Sequence, residues 1–316
     1  SAHQQLEQAL AQSVGYPRAL LFANGYMANL AVLQTLLSRQ DHLYQDKLNH
    51  ASLIDGGLIS NSKMRRYRHN DMAHLTHFLT QAEVNTSLTS ASLSLVATDA
   101  VFSMDGDQAD LTGLANICKH HDALLMVDDA HGFGVLGNGK YTGSLAHQGL
   151  CADQVPIYMG TLGKGLGGYG AFVAGSEDLI EYLIQFARPY IYTTALPPAL
   201  ACAMQDNLAL VMTGKRQKLL AANIAYFRQQ AKHLALDIMP SSTAIQPLLI
   251  GDDAKAVAIS RQLKQRGILV TAIRPPTVAK GSARLRITLT ASHTENHIDQ
   301  LLSILITLLT DNEGGV

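Results

Sequence analysis

Short apolar segments alternate with amphipathic segments over most of the chain, and this alternation is the feature that most limits its fold. The runs ALLFAN at 19–24 and ALLMV at 123–127 have the length and composition of buried strands. Further strands are predicted at 64–68, 93–98, 156–160 and 170–174. Strands that are separated by helices usually pair in parallel, so the pattern predicts an α/β fold with a mostly parallel central sheet.

Helix signals occupy the intervals between these strands. The segment 3–15 places Leu6, Leu10 and Val14 on one face and ends at Gly15, a common residue after the last helical turn. Other helices are predicted at 26–37, from Asp71 onward, at 110–121, and at 176–187 with Ser176 as its N-cap. The polar tract NTSLTSAS at 85–92 predicts a surface loop.

The character of the sequence changes near residue 200. Long amphipathic helices lead into three further strands, predicted at 244–251, 268–274 and 284–290. Ser292 and Glu295 have the spacing of a capping box before a final helix. We therefore predict a large α/β domain over 1–200 and a smaller C-terminal α+β domain over 201–316.

Composition and charge make several functional classes improbable. The net charge is −1, from 24 basic and 25 acidic side chains, which gives no electrostatic reason to expect nucleic acid or an anionic membrane as a partner. Cys118, Cys151 and Cys202 form no CxxC pair, so we expect neither a disulfide framework nor a structural metal site. A reducing compartment, the cytoplasm, fits best. The apolar run at 301–309 is too short to span a bilayer.

One lysine, Lys164, lies among glycines in the segment YMGTLGKGLGGYGAF. A phosphate-binding P-loop of an ATP-binding protein is disfavoured, because Gly165 follows the lysine and Tyr158 stands where the first glycine belongs. An exposed loop lysine is the simpler alternative. However, the preceding strand would bring Lys164 to the carboxyl edge of a parallel sheet, where open α/β proteins place their binding sites.

A second polar group follows the strand at 123–127. Asp128 and Asp129 end the strand, and His131 comes three residues after Asp128. A buried acid costs free energy unless a cation meets it, although Asp128 could simply cap a turn and His131 could be a structural histidine. A lysine amine, a buried acid and a histidine at one sheet edge favour Schiff-base chemistry on pyridoxal phosphate.

The motifs VDDAHG and TLGKGLGGYGAF resemble those of the α-oxoamine synthases, which are fold-type-I pyridoxal-phosphate enzymes. The segments FANGYMAN, LNHASLIDG, VFSMDGD, YIYTTALPP and TAIRPPTVAKGSARLRITLT occur in the same order as in that family. The resemblance covers essentially the whole chain. It implies that the large domain binds pyridoxal phosphate and that the enzyme is a homodimer with shared active sites.

The resemblance also implies roles for individual residues. Lys164 would bind the cofactor covalently and later remove the substrate Cα proton. Asp128 would pair with the pyridine nitrogen, and His131 would donate to the phenolate oxygen. His50, in LNHAS, would stack on the ring, although a histidine there is more often a capping or surface residue.

Further residues are implied for the phosphate and for the substrate. Gly25 and Tyr26 would offer backbone N–H groups to the phosphate, although an ordinary strand–helix turn uses glycine as readily. Hydroxyl groups would come from Ser103 and Thr161, and from Thr193 and Thr194 of the second subunit. Arg284 and Arg286 share one face of a strand, and the motif favours Arg286 for the substrate carboxylate, with Arg274 as a second candidate.

The C-terminal motif most resembles family members that condense L-alanine with a pimeloyl thioester of coenzyme A or acyl carrier protein in biotin biosynthesis. Glycine-using members such as glycine C-acetyltransferase are the first alternative. A non-catalytic, dimeric pyridoxal-phosphate-binding homologue is the second. The family commonly has a glutamate where this chain has Asp99, and its members carry several dozen residues before the point that matches Ser1.

Overall fold

The computed structural model describes residues 1–86 and 92–311, with the backbone alone at 84–86 and 311. The proximity of Cα atoms divides the chain into two units. The first comprises Ser1–Phe102 and Ala109–Gly214, and the second comprises Ser103–Gln108 and Lys215–Val316. The sequence-based domain boundary near residue 200 stays a proposal.

A seven-stranded sheet forms the centre of the first unit, with the strand order β1-β7-β6-β5-β4-β2-β3. Neighbouring strands from β6 to β3 pair in parallel, and β7 runs antiparallel to both β6 and β1. The predicted, mostly parallel central sheet is therefore confirmed. Its strands are β1 (Arg18–Phe22), β2 (His42–Asp46), β3 (Lys63–Tyr67), β4 (Ser94–Asp99), β5 (Leu124–Asp128), β6 (Ile157–Thr161) and β7 (Ala171–Gly175).

The central strands are buried on both faces, which is why they read as continuous apolar runs. In β5, Leu125 and Val127 pack into one hydrophobic cluster while Met126 packs into another. The first cluster includes Leu6 of α1, and the second includes Leu33 of α2. The helices of this unit are α1 (Ala2–Val14), α2 (Gly25–Leu36), α3 (Ala51–Ser60), α4 (Met72–Thr86), α5 (Leu111–His120), α6 (Ser144–His147), α7 (Glu177–Phe186), α8 (Arg188–Ile191) and α9 (Pro198–Met212).

The predicted helix ends agree with the structure in two cases. Helix α1 is followed by Gly15, as predicted, and this glycine adopts a left-handed conformation with φ of 79°. Ser176 caps α7 by accepting a hydrogen bond from the backbone N–H of Leu179. The tract 85–92 belongs to α4 at its first two residues, and most of the remainder lies outside the described residues.

The second unit contains a three-stranded antiparallel sheet with the order β8-β10-β9. Its strands are β8 (Ile245–Gly251), β9 (Thr271–Ile273) and β10 (Ala283–Thr288), and its helices are α10 (Lys215–His233), α11 (Asp253–Gln265) and α12 (Glu295–Asp311). The capping box predicted at Ser292 is wrong. Thr294 caps α12 instead, because its hydroxyl accepts the N–H of His297. No helix of the described residues is long and apolar enough to cross a membrane.

Candidate active site

The carboxyl ends of β4, β5 and β6 lie side by side and carry polar residues. Asp99 of β4 is level with Asp128 of β5, and Asp128 is level with Met159 of β6. Lys164 follows three residues after the end of β6. Its Nζ atom lies 3.0 Å from Nε2 of His131, which follows the end of β5. The structure therefore brings the predicted lysine, acid and histidine to one edge of the sheet.

Asp128 is a buried acid that is held by neutral donors. Its side chain is 4% exposed. One oxygen accepts a hydrogen bond from Asn29 Nδ2 at 2.7 Å, and the other accepts the backbone N–H of Ala130 at 2.9 Å. The simpler alternative, that Asp128 caps a turn, thus accounts for the contact of only one of its two oxygens. Burial raises the pKa of Asp128, and the Asn29 bond and the charge of Lys164 oppose that rise.

Asp99 is a second buried acid beside Asp128. Its carboxylate accepts the backbone N–H of His50 at 2.9 Å. Burial and then the charge of Asp128 raise the pKa of Asp99 well above its usual range, while the His50 bond acts in the opposite direction. Two adjacent buried carboxyl groups strongly favour the arrival of a cationic group, which would relieve both effects.

His50 immediately precedes α3, and its side chain caps this helix. Its Nδ1 atom accepts the backbone N–H of Ser52 at 3.3 Å and lies 2.7 Å from Ser52 Oγ. The capping alternative considered for this histidine is therefore present in the structure. The residue is nevertheless exposed, so a capping role leaves part of it accessible to a ligand.

The start of α2 closely approaches the end of β6. A Cβ atom added at Gly25 would lie 2.8 Å from Cγ2 of Thr161, so only glycine fits without a shift of the threonine. Asn24 caps α2 by accepting the backbone N–H of Met27 at 2.9 Å. Gly25 and Tyr26 are the first two residues of this helix, and their N–H groups come before that of Met27. The Tyr26 hydroxyl donates to Asp55 Oδ2 at 2.5 Å. Backbone donors are thus available at this helix start.

Two of the three candidate arginines contact the segment Ser103–Gln108 within the second unit. Arg286 Nε donates to the backbone oxygen of Ser103 at 2.6 Å, and Arg284 forms an ion pair with Asp105. Both contacts agree with the prediction that the two side chains share one face of β10. Burial lowers the pKa of each guanidinium. Among the residues that the structure describes, Arg286 forms no ion pair, whereas Arg274 is exposed after β9.

Thr193 and Thr194 lie between α8 and α9 in the first unit, and both are exposed. With His3, Glu7 and Tyr190 they line a cavity of about 420 Å³. Their role in the active site of a second subunit stays a prediction.

Sequence reasoning did not find Asn29 and Ser52, which link Asp128 to His50. Asn29 lies on α2 and Ser52 lies on α3, and their contact depends on how these helices pack. The only local signal is the position of Ser52 in the first turn of α3, two residues after the capping histidine.

Known proteins resemble the chain over nearly its whole length. The family model for aminotransferase class I and II matches residues 1–305. An 8-amino-7-oxononanoate synthase from Pseudomonas putida KT2440 is 56% identical over 96% of this chain and 76% of its own length. The synthase from Saccharophagus degradans is 54% identical over 99% of this chain and 77% of its own length.

Solved structures resemble the chain in the same way. Serine palmitoyltransferase from Sphingomonas wittichii has a TM-score of 0.91 and 29% identity, over 98% of this chain and 76% of that one. An 8-amino-7-oxononanoate synthase from Francisella tularensis has a TM-score of 0.84 and 33% identity, over 99% of this chain and 88% of that one. A serine palmitoyltransferase from S. paucimobilis with bound PLP has a TM-score of 0.90 and 29% identity, over 98% and 77%. The chain therefore belongs to the class I and II aminotransferase family, with the fold of the fold-type-I pyridoxal-phosphate transferases.

Proposed function

We propose that the chain is an acyltransferase that condenses L-alanine with a pimeloyl thioester to give 8-amino-7-oxononanoate, in biotin biosynthesis. A carbon–carbon bond forms between the alanine Cα and the acyl carbon, and the carbon–sulfur bond of the thioester breaks. The carrier thiol leaves with one proton, and the alanine carboxylate leaves as CO2. Relatives of that name, at 54–56% identity over almost the whole chain, support this choice of reaction.

Pyridoxal phosphate fits the donor set at the sheet edge, and Asp128 is the observation that carries the proposal. The carboxylate is buried and its hydrogen-bond donors are neutral, so a protonated pyridine nitrogen would supply the cation that the site favours. When bound, the cofactor supplies an electron sink for the carbanion that forms at the alanine Cα.

Lys164 is the residue that we assign to covalent cofactor attachment and to removal of the Cα proton. Its amine lies 3.0 Å from Nε2 of His131, so the two groups occupy one small region and can hold the same ligand. His131 would then donate to the phenolate oxygen of the cofactor. His50 would stack on the ring, and the exposure of this residue supports such a contact.

The phosphate group would bind at the start of α2. The N–H groups of Gly25 and Tyr26 lie in the first turn, where the helix dipole also favours an anion. We assign a hydroxyl contact to Thr161 as well, whose side chain is close to this turn, because a Cβ atom added at Gly25 would lie 2.8 Å from its Cγ2 atom. We further assign hydroxyl contacts to Ser103 and, from the partner subunit of a homodimer, to Thr193 and Thr194. The exposure of this threonine pair leaves it available to a second copy.

Arg286 is our candidate for the substrate carboxylate. Arg284 already shares its charge with Asp105, whereas the described contacts of Arg286 are with the neutral oxygens of Ser103 and Thr288. A guanidinium with this much free capacity can bind a carboxylate in a bidentate manner. Arg274, which is exposed, is the second candidate.

A turnover assay with labelled substrate tests the proposed function. The full chain, loaded with pyridoxal phosphate, is mixed with L-alanine labelled with ¹³C at its carboxyl carbon and with pimeloyl-CoA or pimeloyl-acyl carrier protein. We expect labelled CO2, free thiol and 8-amino-7-oxononanoate in equal amounts. Turnover with glycine and an acetyl thioester, but not with alanine, would favour glycine C-acetyltransferase. Cofactor binding without thiol release from any donor would favour a non-catalytic binding protein.

A further inference from the structure

A chain of hydrogen bonds connects Asp128 with His50 through Asn29 and Ser52. Asn29 Nδ2 lies 2.7 Å from Asp128 Oδ2 and 2.8 Å from Ser52 Oγ. Ser52 Oγ in turn lies 2.7 Å from His50 Nδ1. Asn29, Ser52 and Asp128 are almost completely buried, so water does not compete for these bonds. These hydrogen bonds therefore couple a buried acid to an exposed histidine.

The number of hydrogen atoms on each group determines which group donates in each of these hydrogen bonds. A carboxylate only accepts, so one of the two amide hydrogens of Asn29 goes to Asp128 and the other goes to Ser52 Oγ. The single hydroxyl hydrogen of Ser52 is then directed to His50 Nδ1. The backbone N–H of Ser52 approaches the same nitrogen at 3.3 Å, so Nδ1 acts as an acceptor. The ring hydrogen of His50 is consequently on Nε2.

Protonation of Asp128 would permit the opposite direction. A proton on Oδ2 of Asp128 would let the amide of Asn29 turn over, so that its oxygen accepts from Asp128 and from Ser52, and His50 Nδ1 could then donate to Ser52. The ionised form of Asp128 therefore allows one direction and one tautomer of His50, whereas the protonated form allows both.

The orientation of the Asn29 amide leaves its oxygen atom without a hydrogen-bond partner among the described residues. Asn29 Oδ1 is buried and accepts no hydrogen bond from any described residue. Buried polar atoms normally have a partner, so this orientation is maintained by the two bonds that Nδ2 donates. Such a defect is expected where a side chain is kept for its geometry toward a site rather than for stability.

We propose that Asn29 and Ser52 are positioning residues that hold His50 in the Nε2–H tautomer while Asp128 is ionised. The inference rests on the proposed function, in which Asp128 and His50 both contact the cofactor ring. A cation at Asp128 then also fixes the hydrogen-bonding edge that His50 presents to the ligand. Neither positioning residue needs to touch the cofactor or the substrate.

Nitrogen NMR of the full chain, with ¹⁵N-labelled histidine, measures this tautomer directly. The His50 signals are assigned by their loss in His50→Gln, and spectra are recorded with and without pyridoxal phosphate. With the cofactor bound, we expect Nε2 to carry the hydrogen and Nδ1 to be an unprotonated acceptor. Asn29→Ala should convert this single form into a mixture of tautomers, because the Ser52 hydroxyl is then free to accept from Nδ1. Ser52→Ala leaves only the longer bond of 3.3 Å from the backbone N–H to Nδ1, so it should add a smaller fraction of the Nδ1–H form, and Ser52→Thr should restore the single form.

Ser60→Ala is the matched control, because Ser60 is a buried serine of the same helix whose hydroxyl bonds to Gly57 and Ser62. Its spectrum should equal that of the unchanged chain. A hydrogen on Nδ1 in the cofactor-bound, unchanged chain would overturn the proposal without use of any variant. A single Nε2–H form in both Asn29→Ala and Ser52→Ala would overturn it as well.

Failure of the proposed function can be distinguished from failure of this inference. The tautomer is read from the spectrum and needs no turnover, so an inactive protein can still show the predicted coupling. In an active protein, Ser52→Ala should lower kcat, and the same substitution should have no further effect in a His50→Gln background. Additive losses would mean that Ser52 does not act through His50.

Discussion

Asp99 and Asp128 occupy the same register position on neighbouring parallel strands, and both carboxyl groups are buried. Like charges on adjacent strands repel, and burial removes the water that would screen them. The arrangement therefore favours a ligand that brings positive charge to this edge of the sheet. A cofactor with a protonated pyridine nitrogen meets that requirement, and the amine of Lys164 contributes to it.

Replacement of Asp128 by asparagine tests the role of this charge. Asp128→Asn keeps the size of the side chain and one acceptor for Asn29, but it removes the charge opposite the pyridine nitrogen. We expect kcat to fall by about 10²–10³-fold, the loss that accompanies removal of one electrostatic stabiliser from an active site. Steady-state kinetics with L-alanine and a pimeloyl thioester measure this effect.

Asp110→Asn is the control for that substitution. Asp110 caps α5 on the surface by accepting the N–H of Gly113, and asparagine caps helices as well as aspartate. Activity should be unchanged in this variant. Equal activity of Asp128→Asn and the unchanged chain would contradict the assignment of Asp128.

Replacement of Arg286 by alanine tests the carboxylate site. A lost hydrogen bond between charged groups costs about 1.5–3 kcal/mol, so the KM for L-alanine should rise by roughly 10- to 100-fold. The KM for the thioester should change little. Arg274→Ala, measured in parallel, decides between the two candidates, because an effect confined to Arg274→Ala would move the carboxylate to that residue.

The buried side chain of Asp129 should make the stability of the protein depend on pH. The side chain is completely buried, and burial raises its pKa to about 6, although hydrogen bonds from Ser144 and Tyr158 oppose the rise. The folded state thus binds the proton more tightly than the unfolded state, whose pKa is near the ordinary value of about 3.8. This carboxyl group therefore lowers the free energy of unfolding as the pH rises from about 4 to about 6.

Asp129→Asn removes this titration. The free energy of unfolding of the variant, minus that of the unchanged chain, should rise by about 2 kcal/mol from pH 4.5 to pH 7.5. Urea unfolding at the two pH values measures the difference. A constant difference between the variant and the unchanged chain at both pH values would show that Asp129 does not titrate in this range.

The sequence predicted the strands that carry the chemistry, because these strands are buried on both faces and read as apolar runs. It missed β2, whose segment HLYQD carries Gln45 and Asp46, both buried. It also missed α3, where Gly56 and Gly57 lower helix propensity. A Cβ at Gly56 would lie 2.9 Å from Leu33 Cδ1, so close packing against α2 requires the glycine that conceals the helix in the sequence.

The candidate site was predictable to the extent that its residues follow a strand end. Asp128, His131 and Lys164 each do so, and parallel pairing then brings them together. Asn29 and Ser52 could not be predicted, because their contact arises from the packing of α2 against α3. The misplaced cap at Ser292 has a local reason: serine and threonine both cap helices, so the sequence does not distinguish Ser292 from Thr294.

Covalent trapping of the cofactor tests the central claim most directly. The full chain is loaded with pyridoxal phosphate and treated with borohydride, which fixes a lysine-bound cofactor, and its digest is examined by mass spectrometry. We predict that the pyridoxyl group is found on Lys164, that Lys164→Ala loses it, and that a surface variant, Lys140→Ala, retains it. A pyridoxyl group on a different lysine, or none on the unchanged chain, would contradict the assignment of this sheet edge as the pyridoxal-phosphate site.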